Sequence, residues 1–231
     1  MRLARLLRRA SLCLLAPRCL VCGEAGFDGL DLCPWCRAEL PWNEPACTRC
    51  ALPLAVGLDC PRCLADAPPF TRAHAAFRYE FPIDRLLPRF KFHADLAAGE
   101  LLATLVHWSL DPAHWPQALV PVPLHRSRLR RRGYDQALEL AKALSRETKL
   151  PLLSSRLHRV RRTQAQTELG RNARRRNVCG AFALAPGPPL PAHVALVDDV
   201  LTTGATAGEC AHLLLDAGVA RVDLWTVASA P

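Results

Sequence analysis

An apolar run at residues 194–197 ends in two adjacent carboxylates, Asp198 and Asp199, and Val200-Leu201 leads from them into Thr202-Thr203-Gly204-Ala205-Thr206. Two carboxylates can accept hydrogen bonds from vicinal hydroxyls or face a hydrated divalent cation. The small loop offers backbone N–H groups and hydroxyls at the positive end of a helix expected to start near Thr206, which suits a phosphate. Diol and phosphate recognition this close together describe a ribose 5-phosphate site. An acidic pair that merely caps the helix would explain the carboxylates but not the loop.

A second constellation lies at the other end of the chain. Eight of the eleven cysteines form four C-x-x-C pairs: Cys19/Cys22, Cys33/Cys36, Cys47/Cys50 and Cys60/Cys63. Each C-x-x-C turn points two thiolates at one centre, and a second turn completes a tetrahedral S₄ zinc site. The intervening gaps are 10 and 9 residues, so one unit is used twice, as in tandem zinc ribbons. Consecutive pairing of the turns is the expectation, with interleaved pairing as the alternative. With all four positions taken by sulfur, each zinc would be structural. Disulfides would need an oxidising compartment, and thioredoxin-like pairs would need a βαβ context that this loop-rich segment lacks. Cys13, Cys179 and Cys210 have no such partners and are expected to be small buried residues. The eight histidines show no ligand spacing.

The net charge of +9 is concentrated in one segment. Residues 125–176 hold 16 Lys or Arg against 4 acidic residues, while the remainder is slightly acidic. That distribution marks an anionic partner, either a polyphosphate or a nucleic acid, set against the plainer reading of a solvated arginine-rich face. Residues 125–178 contain a single aromatic, Tyr134, so any single-stranded DNA binding there would be phosphate-driven rather than based on stacking. Half of the residues are hydrophobic, enough for a real core, and no run approaches a membrane span. Arg2, Arg5, Arg8 and Arg9 precede a short apolar stretch, but no small-x-small cleavage site follows. Residues 1–16 therefore read as a basic amphipathic helix, and the chain as cytoplasmic.

The elements that must position these groups alternate. Ala73–Tyr79 reads as an edge strand, and Pro82–Phe92 and Asp95–Trp108 as helices. Leu119–Pro123 is a short strand, and Gln136–Thr148 a helix. Residues 154–178 form a polar, weakly periodic excursion suited to a mobile lid. A strand at Ala181–Leu184, the 194–199 strand, a helix over 206–217 and a last strand at Val222–Ala228 complete the pattern. Alternation of this kind predicts an α/β fold with a parallel sheet and ligands at its carboxyl ends. Trp35, Trp42, Trp108, Trp115 and Trp225 are expected to be packing residues.

The V-D-D-V-x-T-T-G-x-T pattern resembles the phosphoribosyl pyrophosphate (PRPP) signature of type I phosphoribosyltransferases. Four further groups narrow it: the C-x-x-C pairs, Lys91-Phe92, Pro121-Val122-Pro123-Leu124 with Arg132-Gly133-Tyr134-Asp135-Gln136, and Asn177-Val178-Cys179-Gly180-Ala181-Phe182. Together they resemble the ComF family, including ComFC and GntX-like proteins, over about residues 17–228. The resemblance implies a double zinc ribbon at 17–67 and a phosphoribosyltransferase domain at 70–231 with a hood at 154–178. It implies that Asp198 and Asp199 hold the ribose hydroxyls of PRPP and that Thr202–Thr206 hold its 5-phosphate. Lys91, Arg130 and Arg132 would serve the pyrophosphate side together with magnesium. Arg159, Thr163, Gln166, Arg171, Arg174 and Asn177 would furnish the hood. The implied activity is displacement of pyrophosphate by an unidentified nitrogen nucleophile, in a family associated with DNA uptake during natural transformation. Two alternatives stand beside it: a zinc-ribbon protein that binds single-stranded DNA within the competence machinery, and a PRPP sensor without catalysis. Two departures are visible: Asp135, where the family commonly has Asn, and His93-Ala94, where relatives often carry a glycine before the Asp.

Overall fold

The computed structural model describes residues 16–56, 59–162 and 176–230. Four parallel strands form the central sheet: β1 (Arg72–Arg78), β2 (Ala118–Pro121), β5 (His193–Leu201) and β6 (Arg221–Ser229), in the order β1-β6-β5-β2. A short antiparallel pair, β3 (Leu157–Arg159) with β4 (Phe182–Leu184), stands beside it. The helices are α1 (Pro34–Ala38) and α2 (Pro61–Ala65) among the cysteines, then α3 (Ile83–His93), α4 (Leu96–Ser109), α5 (Arg126–Arg132), α6 (Gln136–Thr148) and α7 (Ala205–Asp216).

Period-two alternation divides the core into two layers. Ala195, Val197, Leu119, Trp225 and Val227 face α3, α4 and α6, whereas Val194, Leu196, Val120, Val222 and Leu224 face α7 and the β3–β4 pair. β5 and β6 are therefore buried on both faces, which is why they read as continuous apolar runs rather than alternating ones. The edge position expected of the first strand is found in β1.

Several boundaries differ from expectation for identifiable reasons. β5 continues through Asp198 and Asp199 to Leu201, because β6 pairs with it as far as Leu201↔Ser229. The arginine-rich stretch, which has no apolar period, forms helix α5. His125 caps its first turn by accepting from the Ser127 N–H, and Gly133 ends it at a φ of 83°. The tryptophans are not uniformly packing residues: Trp225 is buried, but Trp35 is 82% exposed on α1. Cys210 is buried as expected, whereas Cys179 is exposed, and Cys13 lies outside the described residues. Among the described residues, no helix is long and apolar enough to cross a membrane.

Candidate functional site

The carboxyl ends of the sheet open into a cleft of about 570 Å³. Because Asp198 and Asp199 still belong to β5, their side chains leave the strand toward opposite faces. Asp199, only 4% exposed, turns toward the α3 side, where Lys91 Nζ lies 2.6 Å from its Oδ2. Asp198 turns toward α7, where its charge adds to the burial that pushes the Cys210 thiol up. Each carboxylate also accepts the N–H of the next residue, Asp199 N–H to Asp198 Oδ1 at 2.9 Å and Val200 N–H to Asp199 Oδ1 at 2.9 Å. Burial, reinforced by the neighbouring charge of Asp199, holds the Asp198 carboxyl well above the usual carboxylate range. A cation or a pair of hydroxyl donors at this point would relieve that penalty.

Beyond β5 the backbone turns at Gly204, which has a φ of 73° and no side chain capping the helix behind it. An L-residue would be strained there. Thr202, Gly204, Ala205 and Thr206 line the cleft at the amino end of α7. Thr203 is placed apart from them. Its hydroxyl accepts the Ala205 N–H at 3.4 Å, and it faces a separate cavity of about 150 Å³ shared with Cys50 and Cys63. The floor of the loop comes from the segment that follows the cysteine-rich region, since Phe70 packs against Gly204 and Pro69 against Gly208.

On the β2 side the cleft is cationic. The pitch of α5 brings Arg128, Arg131 and Arg132 to the wall, and Arg130 is exposed on the opposite face of the helix. Arg128 and Arg131 were legible only once the segment was known to be helical, because spacing selects a face only within a known period. Arg132 is fixed from two directions: it donates to Gln136 Oε1 at 2.7 Å and lies 5.2 Å over the Phe92 ring. Arg128 loses some of its proton affinity to burial and to the crowding charges of Arg132, Arg131 and Arg162. Arg159, 8% exposed on β3, also lines the cleft, its guanidinium 5.1 Å over the Phe182 ring. Asn177 does not line it, and its carbonyl accepts from Arg161. Thr163, Gln166, Arg171 and Arg174 lie outside the described residues.

The eight paired cysteines gather into two clusters of consecutive turns, Cys19/Cys22/Cys33/Cys36 and Cys47/Cys50/Cys60/Cys63, with the four sulfurs of each within 4.8 Å of one another. Backbone N–H groups point at the sulfurs, Cys36 N–H to Cys33 Sγ at 3.4 Å and Cys60 N–H to Cys47 Sγ at 3.3 Å. Burial opposes ionisation of Cys19, but the N–H groups of Cys33, Cys22 and Val21 outweigh it and bring the thiol down to about 6. One thiol that ionises readily beside three other sulfurs is a donor set made for a soft dication. Both clusters are compatible with structural zinc, and neither leaves a coordination position open for catalysis.

Residues 10–64 match the family described as the double zinc ribbon domain. The chain is 34% identical over 223 residues to competence protein F of Haemophilus influenzae, covering 92% of this chain and 97% of the relative. It is 33% identical over 221 residues to the DNA utilization protein YhgH of Escherichia coli O157:H7, covering 93% and 95%. The chain belongs to the ComF family. Competence protein ComFC of Bacillus subtilis is 27% identical over 198 residues, covering 82% and 80%.

Both departures of this ComF chain lie next to residues that line the cleft, Asp135 before Gln136 and His93-Ala94 after Phe92. Asp135 Oδ1 accepts the Ala137 and Leu138 N–H groups at 3.1 and 3.2 Å, capping α6, while Oδ2 accepts the Leu124 N–H at 2.9 Å. An Asn in the same pose has only one acceptor oxygen, so the carboxylate ties the turn after β2 to α6 more fully than an amide could. Burial raises the Asp135 carboxyl above its ordinary value despite those three donors. Ala94 ends α3 in the left-handed region at a φ of 53°, a position that favours glycine.

Proposed function

We propose that the cleft binds PRPP with its magnesium and transfers the phosphoribosyl group to a nitrogen nucleophile, releasing pyrophosphate. One observation carries this reading: an adjacent carboxylate pair, a helix amino end behind a left-handed glycine, and a cluster of arginines share one cleft at the carboxyl ends of a parallel sheet. In this reading Asp198 and Asp199 receive the ribose hydroxyls, and the ion pair with Lys91 orients Asp199. Thr202, Gly204, Ala205 and Thr206 hold the 5-phosphate through backbone N–H and hydroxyl groups. Arg128, Arg131 and Arg132 face the pyrophosphate, where negative charge grows as the bond to the anomeric carbon breaks. Magnesium held by the substrate phosphates would supply further neutralisation of the same charge. Positive charge developing on the ribose lies near the carboxylates of β5. The stretch from Arg159 to Asn177 serves as the hood.

The relatives are named for competence and DNA utilization, and the reading places this transfer in the handling of DNA during uptake. A second reading, direct binding of single-stranded DNA, draws on the basic segment at 125–176. Calorimetric titration with PRPP and magnesium separates them. The wild type is expected to bind, and Asp198→Ala/Asp199→Ala to lose roughly 100-fold or more in affinity, as two charged acceptors disappear. No binding by the wild type defeats the transferase. Binding without pyrophosphate release across amines and nucleobases leaves a sensor. Salt-sensitive DNA binding that survives the double substitution establishes a separate nucleic-acid role.

A further inference from the structure

The cleft is not uniform along the edge of the sheet. Its axis crosses the carboxyl ends of β2, β5, β6 and β1 in that order, a span of about 14 Å at the usual strand spacing. The lining cations are Lys91, Arg128, Arg131, Arg132 and Arg159, and the anions are Asp198 and Asp199. All of them belong to β5, pair with it, or lie toward the β2 side. Lys91 meets Asp199, Arg132 meets Phe92 at the end of α3, and β3 bridges to His125 at the start of α5 through Arg159. The β1 end is lined instead by Tyr79, which follows β1, with Leu87 and Pro88 of α3, all uncharged. Tyr79 is anchored there through its backbone, donating its N–H to Ser229 O at 3.0 Å, while its side chain is 40% exposed. Helix α3 joins the two ends, with Leu87 and Pro88 one turn before Lys91 and Phe92.

Displacement at the anomeric carbon requires the incoming nitrogen and the departing oxygen to lie on opposite sides of that carbon. With pyrophosphate against the arginines and ribose over β5, the nitrogen must arrive from the β6–β1 side. This step rests on the PRPP reading above. We propose that the acceptor is an uncharged, planar nitrogen heterocycle bound at the β1 end of the cleft, stacked on Tyr79 against Leu87 and Pro88. Its ring nitrogen forms the bond to the anomeric carbon. The carbon–oxygen bond breaks with its electron pair going to pyrophosphate, and the nitrogen gives up its proton to the pyrophosphate or to water. A ring carboxylate at this end would be desolvated with no lining cation among the described residues to pair it. Ammonia would leave the apolar wall wet.

The experiment begins with PRPP titration of the wild type, Tyr79→Ala and Tyr79→Phe, because Tyr79 lies outside the region assigned to PRPP. All three are expected to bind PRPP within about twofold of one another. Pyrophosphate release is then measured with adenine, guanine, cytosine and uracil, with orotate, nicotinate and anthranilate, and with ammonium. Release with at least one of the four neutral rings is expected. Tyr79→Ala should lower kcat/KM for that ring at least about fivefold, mainly through KM, and Tyr79→Phe should restore it. Release confined to the carboxylated rings or to ammonium overturns the proposal, as does full activity of Tyr79→Ala. PRPP binding with no release from any neutral ring overturns the acceptor class while leaving PRPP recognition standing. Absence of PRPP binding instead removes the reading on which the proposal rests.

Discussion

At the amino end of the sheet, Asp223 is 3% exposed and enclosed by partners: Arg221 donates to both carboxylate oxygens at 3.1 and 3.0 Å, and His193 Nε2 lies 2.9 Å away. At the carboxyl end, on the neighbouring strand, Asp198 has one backbone N–H, and desolvation together with the like charge of Asp199 keeps its carboxyl raised. Both acids are expensive to bury. The first is compensated inside the fold, whereas the second is left for something to arrive. The difference separates an acid that holds the sheet together from one that waits for a ligand, and it can be broken by mutation.

The largest expected effect is at the amino end. Asp223→Ala leaves Arg221 and His193 without their carboxylate and is expected to cost about 3 kcal/mol in denaturant unfolding, with PRPP affinity unchanged. If the variant lost PRPP binding while keeping its stability, the two ends would have been assigned the wrong way round. The next effect is a pH dependence in the same half of the molecule. His74 lies between β1 and α4, its Nε2 2.7 Å from Ser109 Oγ, and Ser109 donates to Val106 O at 2.7 Å. With the hydroxyl proton committed to that carbonyl, the neutral ring donates from Nε2. Burial, with a smaller contribution from Arg72, pulls its pKa from 6.5 down to about 4. The unfolded chain binds the proton first, so this contribution is complete above about pH 6.5 and lost as the pH falls toward 4, roughly 3 kcal/mol over the window. Unfolding curves measured from pH 7 to 4 should show that slope, and His74→Gln should flatten it.

At the carboxyl end the sign is expected to reverse. Asp198→Asn removes a buried like-charge contact and should melt no lower than the wild type, with a gain of about 0.5–2 kcal/mol, while PRPP affinity falls. A clear loss of stability would show that Asp198 is structural after all, and the contrast with Asp223 would collapse.

How much of this contrast could be read from the sequence depends on period. Gln136–Thr148 was legible to the residue, because Asp135 is a strong cap and Leu140, Ala141 and Leu144 recur at helical spacing. Strands β5 and β6 were legible from their apolar runs, and the cysteine clusters from C-x-x-C spacing, since ligand geometry leaves few other arrangements. Helix α5 was hidden, because five arginines in seven residues show no apolar face, so the cleft-facing Arg128 and Arg131 could not be told from the outward Arg130. Asp198 and Asp199 were found as a pair, but not as a pair on opposite faces, because that follows from β5 continuing to Leu201 by pairing with β6. Local sequence does not encode a partner strand. Trp35 departs from its expected packing for a related reason: aromatic size favours burial, but a five-residue helix inside a sulfur cluster has too little surface to cover its own tryptophan.

The smallest expected effect tests the wall that carries Lys91. Ala94 holds a left-handed conformation at a φ of 53° where α3 ends, and the next residue, Asp95, caps α4 by accepting the Ala98 N–H at 3.1 Å. A side chain at such a φ costs about 1–2 kcal/mol, partly offset by the flexibility a glycine would add to the unfolded chain. Ala94→Gly is therefore expected to stabilise the protein by roughly 0.5–1 kcal/mol in thermal or denaturant unfolding. It lies three residues beyond Lys91, so a gain in stability at unchanged PRPP affinity would show that the strain is a local cost of the turn. A gain accompanied by weaker binding would mean that the left-handed alanine stiffens the end of α3 and helps to aim Lys91 at Asp199. In that case the carboxyl end would resemble the amino end more than its open acids suggest, with part of its backbone held in place for the ligand as firmly as Asp223 is held for the fold.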